Sequence, residues 1–362
     1  MTPTPTDPIL ALNAGSSSLK YAVFAGEAAI VRGTVDGVTD HRSAVLGVLD
    51  QLAQPGPGAA RPAAVGHRLV HGGADHSAPA RVDPAVLAAL ARLVPLSPLH
   101  LPAELAVIEA VTERLGDLPQ VVCFDTAFHA TLPMVARRYA LPSALFDAGI
   151  RRYGFHGLSY ASITGALPAE RLRRAVIAHL GSGASMAAIR DGRSVETTMG
   201  FSPAGGLVMA TRAGDLDPGL LVYLLDHGHD ARRLDHLINH EAGLRALSET
   251  TSDMRSLLAL RATDPRAQLA VDAFCYHARK AIGALAALLG GVETLVFTGG
   301  IGERAAIVRA EICGDLAHLG IALDEARNAA HEPIISAGSC EVRVMHTDEE
   351  REIARATREV LG

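Results

Sequence analysis

The sequence predicts an α/β protein that contains a duplicated domain. Short apolar segments that end in Gly, Asp, His or Thr alternate with segments that carry helix start signals, a pattern typical of folds that bind ligands at the carboxyl ends of their strands. A segment that begins at residue 9 is repeated from residue 176, which indicates duplication. The 362 residues give room for two domains of ~150 residues each.

Composition and charge exclude several classes of protein. Hydrophobic residues make up 49% and charged residues 20%, which excludes a disordered chain, and no apolar run reaches the ~20 residues of a membrane span. A net charge of −6, no tryptophan and 4% aromatic residues argue against nucleic-acid and membrane partners. The four cysteines form no CxxC pair and the first residues lack a signal peptide, so we expect a reduced, cytoplasmic protein.

Proline and glycine mark the predicted helices. Helices are expected to begin at Pro84, Pro102 and Pro265, the first and third of which follow an aspartate; Gly116 closes the second and the third runs to Gly290. Residues 54–62 are rich in proline and glycine and predict a surface loop. The strand candidates are AAVGHRLV, QVVCFD, RAVIAHL, TLVFTGG and EVRVMHT.

The repeat aligns residues 9–29, ILALNAGSSSLKYAVFAGEAA, with residues 176–195, VIAHLGSGASMAAIRDGRSV. Aligned on Gly15 and Gly181, each copy shows a strand, a Gly/Ser turn, a second strand and a hairpin. Glycine lets backbone N–H groups approach an anion, and serine adds hydroxyl donors. A single Gly/Ser hairpin is usually only a turn. Two facing hairpins would grip a polyphosphate.

A third glycine turn, residues 297–303 (FTGGIGE), follows a strand candidate and opens a helix candidate. In this context a helix N-terminus can hold phosphate or ribose. GGIG alone is a weak nucleotide signal. Together the three turns in an α/β setting favour phosphate binding.

At this point the sequence resembles the acetate kinase (acetokinase) family, within the acetate and sugar kinase, Hsp70 and actin superfamily. The strings that carry the resemblance are NAGSSSLKY (13–21), GHRLVHGG (66–73), FDTAFH (124–129), RRYGFHG (151–157), MGFSPAGGLVMATRAGDLDP (199–218) and FTGGIGE. The resemblance implies two duplicated actin-like (ribonuclease H-like) domains with an active-site cleft between them. The domains would be 1–126 with 350–362 on the acetate side, and 127–349 on the nucleotide side.

The resemblance also implies an activity: reversible, Mg²⁺-dependent, direct in-line transfer of the γ-phosphoryl group of ATP to acetate, which gives acetyl phosphate and ADP. Mn²⁺ could replace Mg²⁺, and a homodimer is implied. Two alternatives stay open. One is a propionate or butyrate kinase of the same fold, and the other is a non-catalytic nucleotide-binding sensor.

Transfer between two anions requires cations around the equatorial oxygens of the phosphoryl group. Arg68 and Arg212 lie at a strand end and beside glycine turns, and arginine can grip a carboxylate or phosphate with paired N–H donors. The resemblance assigns Arg68 to acetate binding and Arg212 to the transition state, Asp125 to catalysis near the magnesium, and His156 to the transferring phosphoryl group. The alternatives are ion-paired surface arginines, an N-cap at Asp125 and a core histidine at His156.

Asn13 and Glu349 match the metal-associated positions of the family, in keeping with the oxygen ligands that Mg²⁺ requires. Glu349 alone would be interpreted as the first-turn acid of a C-terminal helix capped by Thr347. Lys20 resembles the lysine that contacts ATP, and Ser16 and Ser18 would add hydroxyl contacts. Apolar side chains expected around the acceptor, beside Arg68, are Val70, Leu99 and Pro203.

Three segments are assigned to the nucleotide by the resemblance. They are His179, Leu180, Gly181, Ser182 and Gly183 for the phosphates, Asp253, Met254 and Arg255 for adenosine, and Gly300, Ile301, Gly302, Glu303 and Arg304 for adenosine and ribose. The chain departs from the commonest family pattern at Leu101, Tyr160, Ser182 and Arg304. Ser182 and Arg304 adjoin the expected ATP contacts and would retune donor binding, whereas Leu101 and Tyr160 flank the acceptor region.

Overall fold

The computed structural model describes residues 4, 6–15, 17–55, 60–98 and 100–362. The chain divides into two compact units. The first comprises Met1–Ala130, Phe155–Ser162 and Asp348–Gly362, and the second comprises Thr131–Gly154 and Ile163–Thr347. The domain limits inferred from the sequence, 1–126 with 350–362 and 127–349, remain a prediction.

The strands are β1 (Pro8–Ala14), β2 (Ser18–Ala25), β3 (Ala28–Asp36), β4 (Ala64–Leu69), β5 (Ala80–Arg81), β6 (Gln120–Phe124), β7 (Arg174–Leu180), β8 (Ala184–Arg190), β9 (Arg193–Thr197), β10 (Thr294–Thr298) and β11 (Glu341–Val344). The helices are α1 (His41–Ala53), α2 (Pro84–Arg92), α3 (Leu101–Leu115), α4 (Met134–Arg137), α5 (Ser143–Asp147), α6 (Gly157–Ala166), α7 (Pro218–Asp226), α8 (Ala231–His236), α9 (Gly243–Ser248), α10 (Met254–Leu260), α11 (Pro265–Leu289), α12 (Gly299–Arg304), α13 (Ala306–Cys313), α14 (Glu325–Ala329) and α15 (Glu349–Leu361).

The two sheets share a plan of five strands, and the first sheet has one strand more, β5. The order in the first unit is β3-β2-β1-β4-β6-β5, and in the second it is β11-β10-β7-β8-β9. Each begins with an antiparallel meander, and its first strand then pairs in parallel with the strand that follows the crossover, β1 with β4 and β7 with β10. The predicted duplication of an α/β domain is therefore confirmed.

The sheet of the first unit is buried on both faces, as expected for a sheet covered by helices. Leu10 and Leu12 of β1 pack with α1 and α3 on one face, and Ile9 and Ala11 pack with α15 on the other. This alternation explains why β1 is apolar at nearly every position. The polar residues therefore come at the strand ends, beyond the core.

Helix α11 begins and ends where the sequence predicts. The Asp264 side chain caps it by accepting a hydrogen bond from the Arg266 N–H, and Gly290 ends it in the left-handed region at φ 71°. The predicted starts near Pro84 and Pro102 are confirmed as well. Among the described helices, none is long and apolar enough to cross a membrane.

The expected capping of the C-terminal helix by Thr347 is wrong. Asp348 caps α15 by accepting a hydrogen bond from the Arg351 N–H at 3.1 Å. Thr347 Oγ1 has no hydrogen-bond partner among the described residues. Glu349 is the first helical residue, which places its carboxylate at the positive end of the helix dipole.

Candidate active site

The first glycine turn joins β1 to β2 and is closed by its backbone. The Gly15 N–H donates to the Ser18 carbonyl at 2.8 Å, and His41 Nε2 lies 2.7 Å from the Gly15 carbonyl. A Cβ atom at Gly15 would lie 3.1 Å from Ser18 Oγ, so the Ser18 hydroxyl is next to the turn. Ser16 lies outside the described residues. The sequence did not indicate that His41 supports this turn.

Asn13, at the end of β1, contacts the start of α15. Its Nδ2 donates to Glu349 Oε2 at 2.8 Å and to Glu350 Oε1 at 3.0 Å. Because ionised carboxylates only accept hydrogen bonds, these contacts assign the amide orientation and direct Asn13 Oδ1 elsewhere. The two predicted metal-associated residues, Asn13 and Glu349, are thus in contact.

The acids at the start of α15 differ in their cationic partners. Arg32 pairs with Asp348 at 2.6 Å and reaches Glu350 at 4.0 Å. Among the described residues, Glu349 forms no salt bridge. Mg²⁺ is usually bound by one or two carboxylates together with substrate phosphates and water, and the oxygen atoms of Glu349 and Asn13 fit that requirement.

Lys20 is the cross-strand neighbour of Asn13 in the β1–β2 pair. Residues opposite each other in an antiparallel pair point to the same face of the sheet with Cβ atoms ~5 Å apart. Lys20 is exposed, so its ammonium group can reach an anion beside Asn13. The predicted phosphate contact at Lys20 stays a prediction.

Arg68, near the carboxyl end of β4, is surrounded by acceptors. Its Nε and Nη2 donate to Asp125 Oδ2 at 3.1 and 2.5 Å, and its Nη1 donates to the Ala14 carbonyl at 2.8 Å and to Glu104 Oε1 at 3.3 Å. The side chain is only 14% exposed. The paired N–H edge predicted to grip a substrate is therefore directed at Asp125 in this structure.

The charges around Arg68 shift two pKa values. Burial alone would lower the pKa of Arg68, but the Asp125 and Glu104 carboxylates outweigh it and raise this pKa. Burial raises the pKa of Glu104 to about 7, against the opposing effects of Arg68 and the Val70 N–H. Sequence reasoning missed Glu104, although it lies three and four residues before the buried Val107 and Ile108 and thus on the buried face of α3.

Val70 follows Arg68 by two residues and is buried at 3% exposure. Its backbone N–H donates to Glu104 Oε2 at 3.0 Å. Leu99, also assigned to the acceptor pocket, lies outside the described residues, while Leu101 is fully buried at the start of α3. The first unit therefore brings Arg68, Val70 and Asp125 together, with Glu104 as an unpredicted member.

His156 adopts a left-handed backbone conformation with φ 61°, which is uncommon for a residue with a side chain and often marks a functional position. The next residue, Gly157, begins α6 and donates its N–H to the Asp125 carbonyl at 2.8 Å. A Cβ atom at Gly157 would lie 2.2 Å from that oxygen. His156 is therefore fixed directly beside the backbone of Asp125. Tyr160, one of the departures, is buried against Phe128 and His129.

His67, beside Arg68 in β4, is a buried core histidine. Its Nε2 lies 2.7 Å from Gln120 Oε1, and its Nδ1 has no hydrogen-bond partner among the described residues. Because the Gln120 oxygen accepts, the neutral Nε2–H tautomer fits the site. Burial lowers the pKa of His67 to about 4.

We expect His67 to make the protein less stable in acid. Its folded pKa of about 4 lies below the ordinary value of 6.5, so the unfolded chain binds more protons between these pH values. The free energy of unfolding should fall by up to about 3 kcal/mol from this group as the pH drops from 6.5 to 4. Urea unfolding of wild type and His67→Gln at several pH values measures this difference, and the exposed His318→Gln is the control. Equal pH slopes in all three proteins would contradict the prediction.

In the second unit, Arg212 is anchored by a residue from the same predicted site. Its Nη1 donates to the Pro203 carbonyl at 3.1 Å and lies 3.7 Å from Met209 Sδ. Pro203 was expected to shape the acceptor pocket through its ring, whereas the contact observed here uses its carbonyl. The structure therefore brings Arg212 and Pro203 together.

The Arg212 loop is tied to the second glycine turn. The Ala210 N–H donates to the Ser182 carbonyl at 3.0 Å, and the Leu244 N–H donates to the Met209 carbonyl at 2.8 Å. Gly243, with φ 66°, allows this approach, because a Cβ atom there would lie 2.2 Å from the Met209 carbonyl. The loop that carries Arg212 is thus connected by hydrogen bonds to the second glycine turn, which the repeat predicted.

A cavity of about 450 Å³ in the second unit collects parts of all three predicted nucleotide segments. Its lining comprises Gly181, Ser182, Ala210, Ser252, Asp253, Met254, Arg255, Leu258, Gly300, Ile301, Arg304 and Ala305. The lining combines apolar residues of α10 and α12 with residues of the second and third glycine turns, and arginines 255 and 304 are exposed. Such a mixture suits an apolar ring with an anionic tail. Ala210, Ser252, Leu258 and Ala305 were not predicted.

The Asp253 carboxylate already has a structural role. It accepts hydrogen bonds from the Ser256 N–H at 3.0 Å and the Ser256 hydroxyl at 2.8 Å, and so caps α10. These bonds hold the pKa of Asp253 below its ordinary value. Asp253 thus lines the cavity while its carboxylate shapes the backbone of the adjacent Met254 and Arg255.

The third glycine turn is stabilised by hydrogen bonds to side chains of α12 and α13. Gly299 has φ 77°, and a Cβ atom there would lie 2.8 Å from the Leu180 carbonyl. Glu303 accepts a hydrogen bond from the Gly299 N–H at 3.1 Å. Arg309, which is fully buried, donates to the Gly302 and Glu303 carbonyls at 2.8 and 2.9 Å. Sequence reasoning did not find Arg309.

Several predicted nucleotide residues do not line the cavity. His179 and Leu180 lie in β7, Gly183 lies in the turn that follows it, and Gly302 and Glu303 lie in α12. Leu180 and Gly302 are buried, and Glu303 supports the third turn as described above. Their predicted contacts with ATP stay predictions.

The comparisons with known proteins all identify the acetokinase family. The model of the acetokinase family matches residues 34–355. Acetate kinase from Nitrobacter hamburgensis is 42% identical over an alignment of 391 positions, gaps included, that covers 98% of this chain and 96% of that protein.

Two crystal structures are similar to this chain over almost their whole length. Acetate kinase from Porphyromonas gingivalis has a TM-score of 0.89 and 35% identity, with coverage of 98% of this chain and 100% of that one. A propionate kinase from Francisella tularensis has a TM-score of 0.87 and 33% identity, with coverage of 97% and 98%. The predicted fold of duplicated actin-like domains is thereby confirmed.

Proposed function

The chain belongs to the acetokinase family of phosphotransfer kinases, and from this premise we propose that it transfers the γ-phosphoryl group of ATP reversibly to acetate. The products would be acetyl phosphate and ADP. The observation that carries the proposal is the cavity of the second unit, because parts of three segments assigned to ATP, far apart in sequence, line it together. An apolar wall beside glycine turns suits adenosine followed by phosphates.

On the acceptor side, the buried Arg68 and the apolar Val70 favour a small carboxylic acid. The guanidinium is only 14% exposed and already pairs with Asp125 and Glu104, so a substrate carboxylate would be bound through an N–H group that these acids leave free and not through excess positive charge. Val70, two residues further along the chain, is the apolar residue assigned to the acceptor, and it is only 3% exposed in this structure. In acetate, the carboxylate would contact Arg68 and the methyl group would contact Val70.

For the transfer step, we assign Arg212 and His156 to stabilisation of the negative charge on the phosphoryl oxygens, and Asp125 to orientation of Arg68. In-line transfer directly between ATP and acetate needs positioning and charge neutralisation more than covalent chemistry. Arg212 is anchored to Pro203, and His156 is fixed next to Asp125. The first contact fixes one end of the Arg212 guanidinium, and the Gly157 hydrogen bond fixes the backbone next to His156, so part of this arrangement is preorganised before substrate binds, as electrostatic catalysis requires.

We further propose Mg²⁺ or Mn²⁺ as the cofactor, held by Glu349 and Asn13. When bound, the cation would shield the phosphate charges and polarise the transferring group. Glu349 supplies a carboxylate free of a salt bridge within the described residues, while Asn13 orients that carboxylate through Nδ2 and would have to rotate its amide to present Oδ1 to the same cation. Lys20, opposite Asn13, would add a further cation for the phosphates.

The acyl-chain series tests the proposed acceptor. Purified protein is assayed with ATP, Mg²⁺ and acetate, propionate or butyrate, and the acyl phosphate is trapped as hydroxamate. We expect kcat/KM to be highest for acetate, with clear activity on propionate, because one methylene changes discrimination by only ~1–3 kcal/mol.

The similarity to a solved propionate kinase makes propionate the second candidate acceptor. A higher kcat/KM for propionate or butyrate would replace acetate in the proposal. ATP binding without any acyl phosphate, at every Mg²⁺ concentration, would instead favour a nucleotide-binding sensor.

We also propose a homodimer, with α7 at its interface. No residue of this apolar helix, PGLLVYLLD, is buried within the chain, and Val222 and Tyr223 are each 57% exposed. An apolar surface of this kind usually contacts another protein. A second copy of this chain would cover it.

Light scattering is expected to give twice the chain mass of 37.8 kDa. Tyr223→Glu combined with Val222→Glu should reduce it to one chain mass, because charged groups would be buried at the interface. Leu288→Glu, at an exposed position of α11, is the control. A wild-type protein with the mass of one chain would contradict the proposal.

Finally, we propose that the enzyme works in the cytoplasm. The four cysteines, Cys123, Cys275, Cys313 and Cys340, are all free and buried. Unpaired thiols are typical of a reducing compartment. Fractionation of cells that express the protein tests this assignment.

A further inference from the structure

Glu104 is a buried carboxylate whose two oxygens have different partners. Oε1 accepts a hydrogen bond from Nη1 of Arg68 at 3.3 Å, and Oε2 accepts one from the backbone N–H of Val70 at 3.0 Å. The proposed function assigns both partners to the acceptor. A single side chain therefore connects the cation that would attract the carboxylate with the backbone that carries the apolar contact.

The helix that carries Glu104 is fixed to the core. The Glu104 N–H donates to the His100 carbonyl at 3.1 Å, and Val107 and Val111, further along α3, belong to the core of the first unit. The first turn of a helix also favours a negative charge. Glu104 is thus a carboxylate on a rigid element, and such elements hold functional groups more accurately than loops do.

The contacts of Arg68 show what this rigidity can control. Four of the five guanidinium N–H groups have acceptors among the described residues. The Nε–H and one Nη2–H donate to Asp125. The two Nη1–H groups donate to the Ala14 carbonyl and to Glu104. One N–H on Nη2 remains for a ligand. Because the guanidinium is planar, fixing Nη1 and Nε also fixes the direction of that N–H.

We infer that Glu104 is a positioning residue for the acceptor: it orients the Arg68 guanidinium and the Val70 backbone together. The inference rests on the proposed function for its substrate. Glu104 itself touches neither ATP nor the phosphoryl group in this assignment. Its replacement should therefore change acceptor binding much more than nucleotide binding.

The kinetic test compares Glu104→Gln with Glu113→Gln. Glutamine is close in size but replaces one acceptor oxygen with a donor, which would face an N–H of Arg68 or Val70. Glu113 lies on the same helix, is exposed, and pairs with Arg42 at the surface. We expect Glu104→Gln to raise the KM for acetate by about tenfold or more and to leave the KM for ATP within about twofold, and Glu113→Gln to change neither.

A second measurement does not depend on activity. In protein labelled with ¹⁵N-arginine, the Nε–H signal of Arg68, assigned through Arg68→Lys, is recorded without substrate. We expect Glu104→Gln to shift this signal and speed its hydrogen exchange, and Glu113→Gln to leave it unchanged. If Glu104→Gln does not fold, Glu104→Asp takes its place, because the shorter carboxylate cannot reach both partners.

The outcomes separate the two claims. A wild-type protein that makes no acyl phosphate contradicts the proposed function, and the Arg68 signal still tests the inference. An unchanged Arg68 signal overturns the positioning role. Equal rises in the KM for acetate and for ATP would show a general structural role instead, and would overturn the inference as well.

Discussion

Replacing Arg212 with alanine is expected to lower kcat by about 10³-fold, because one fixed guanidinium at a transferring phosphoryl group contributes that much. The KM for acetate should change only a few-fold, since the residue is assigned to the transition state. Its loop is held by backbone hydrogen bonds that the substitution leaves intact, from the Ala210 N–H to the Ser182 carbonyl and from the Leu244 N–H to the Met209 carbonyl. The loss should therefore come from the missing charge and not from movement of the loop.

Two further variants control this prediction. Arg212→Lys keeps a positive charge but loses the planar fork, so its kcat should lie between those of wild type and alanine. Arg233→Ala removes an exposed arginine of α8 that pairs with Glu241 and should leave kcat unchanged. Initial rates of acyl phosphate formation at saturating ATP and acetate measure all three. A kcat for Arg212→Ala equal to that of wild type would remove Arg212 from the mechanism.

The parts of the fold that follow from local chemistry could be predicted. The aspartate and proline before α11 and the glycine after it set its ends, and the repeated strand, glycine turn and strand became two sheets of the same plan. The cap of α15 was misassigned because Thr347 and Asp348 are adjacent and both can cap a helix. Asp348, which caps the helix, also pairs with Arg32 of β3, and the sequence does not show that contact.

The residues of the candidate site also fall into two groups, those that could be predicted from the sequence and those that could not. Arg68 and Asp125 end neighbouring parallel strands, so a motif at each strand end located them. Glu104 and Arg309 are charged residues on helices, where a charge usually means a solvated face. Their signal was positional: each lies three or four residues from buried apolar residues of the same helix, Ile108 and Ile312. Their partners could be identified only in the tertiary structure. A charged side chain is stable in the core only when it is paired or hydrogen-bonded, and the sequence does not show those partners.

The second large effect is expected for Asp125→Asn. The Asp125 carboxylate accepts two hydrogen bonds from Arg68 and is 3% exposed. Without the charge of Asp125, Glu104, 3.3 Å from Nη1, is the remaining salt-bridge partner of Arg68 among the described residues. Breaking a buried ion pair from one side costs about 3 kcal/mol or more. The kcat/KM for acetate should fall by about 10²-fold as well, because a guanidinium that loses its orientation misplaces the acceptor.

Urea unfolding and acyl phosphate assays measure the two effects separately. Asp50→Asn, at an exposed carboxylate paired with Arg114, is the control and should change stability by no more than about 1 kcal/mol. The double variant Asp125→Asn with Arg68→Gln removes the unpaired cation, so it should recover part of the lost stability without recovering activity. Full stability in Asp125→Asn would mean that Glu104 and the Ala14 carbonyl suffice for Arg68, and full activity would remove Asp125 from the site.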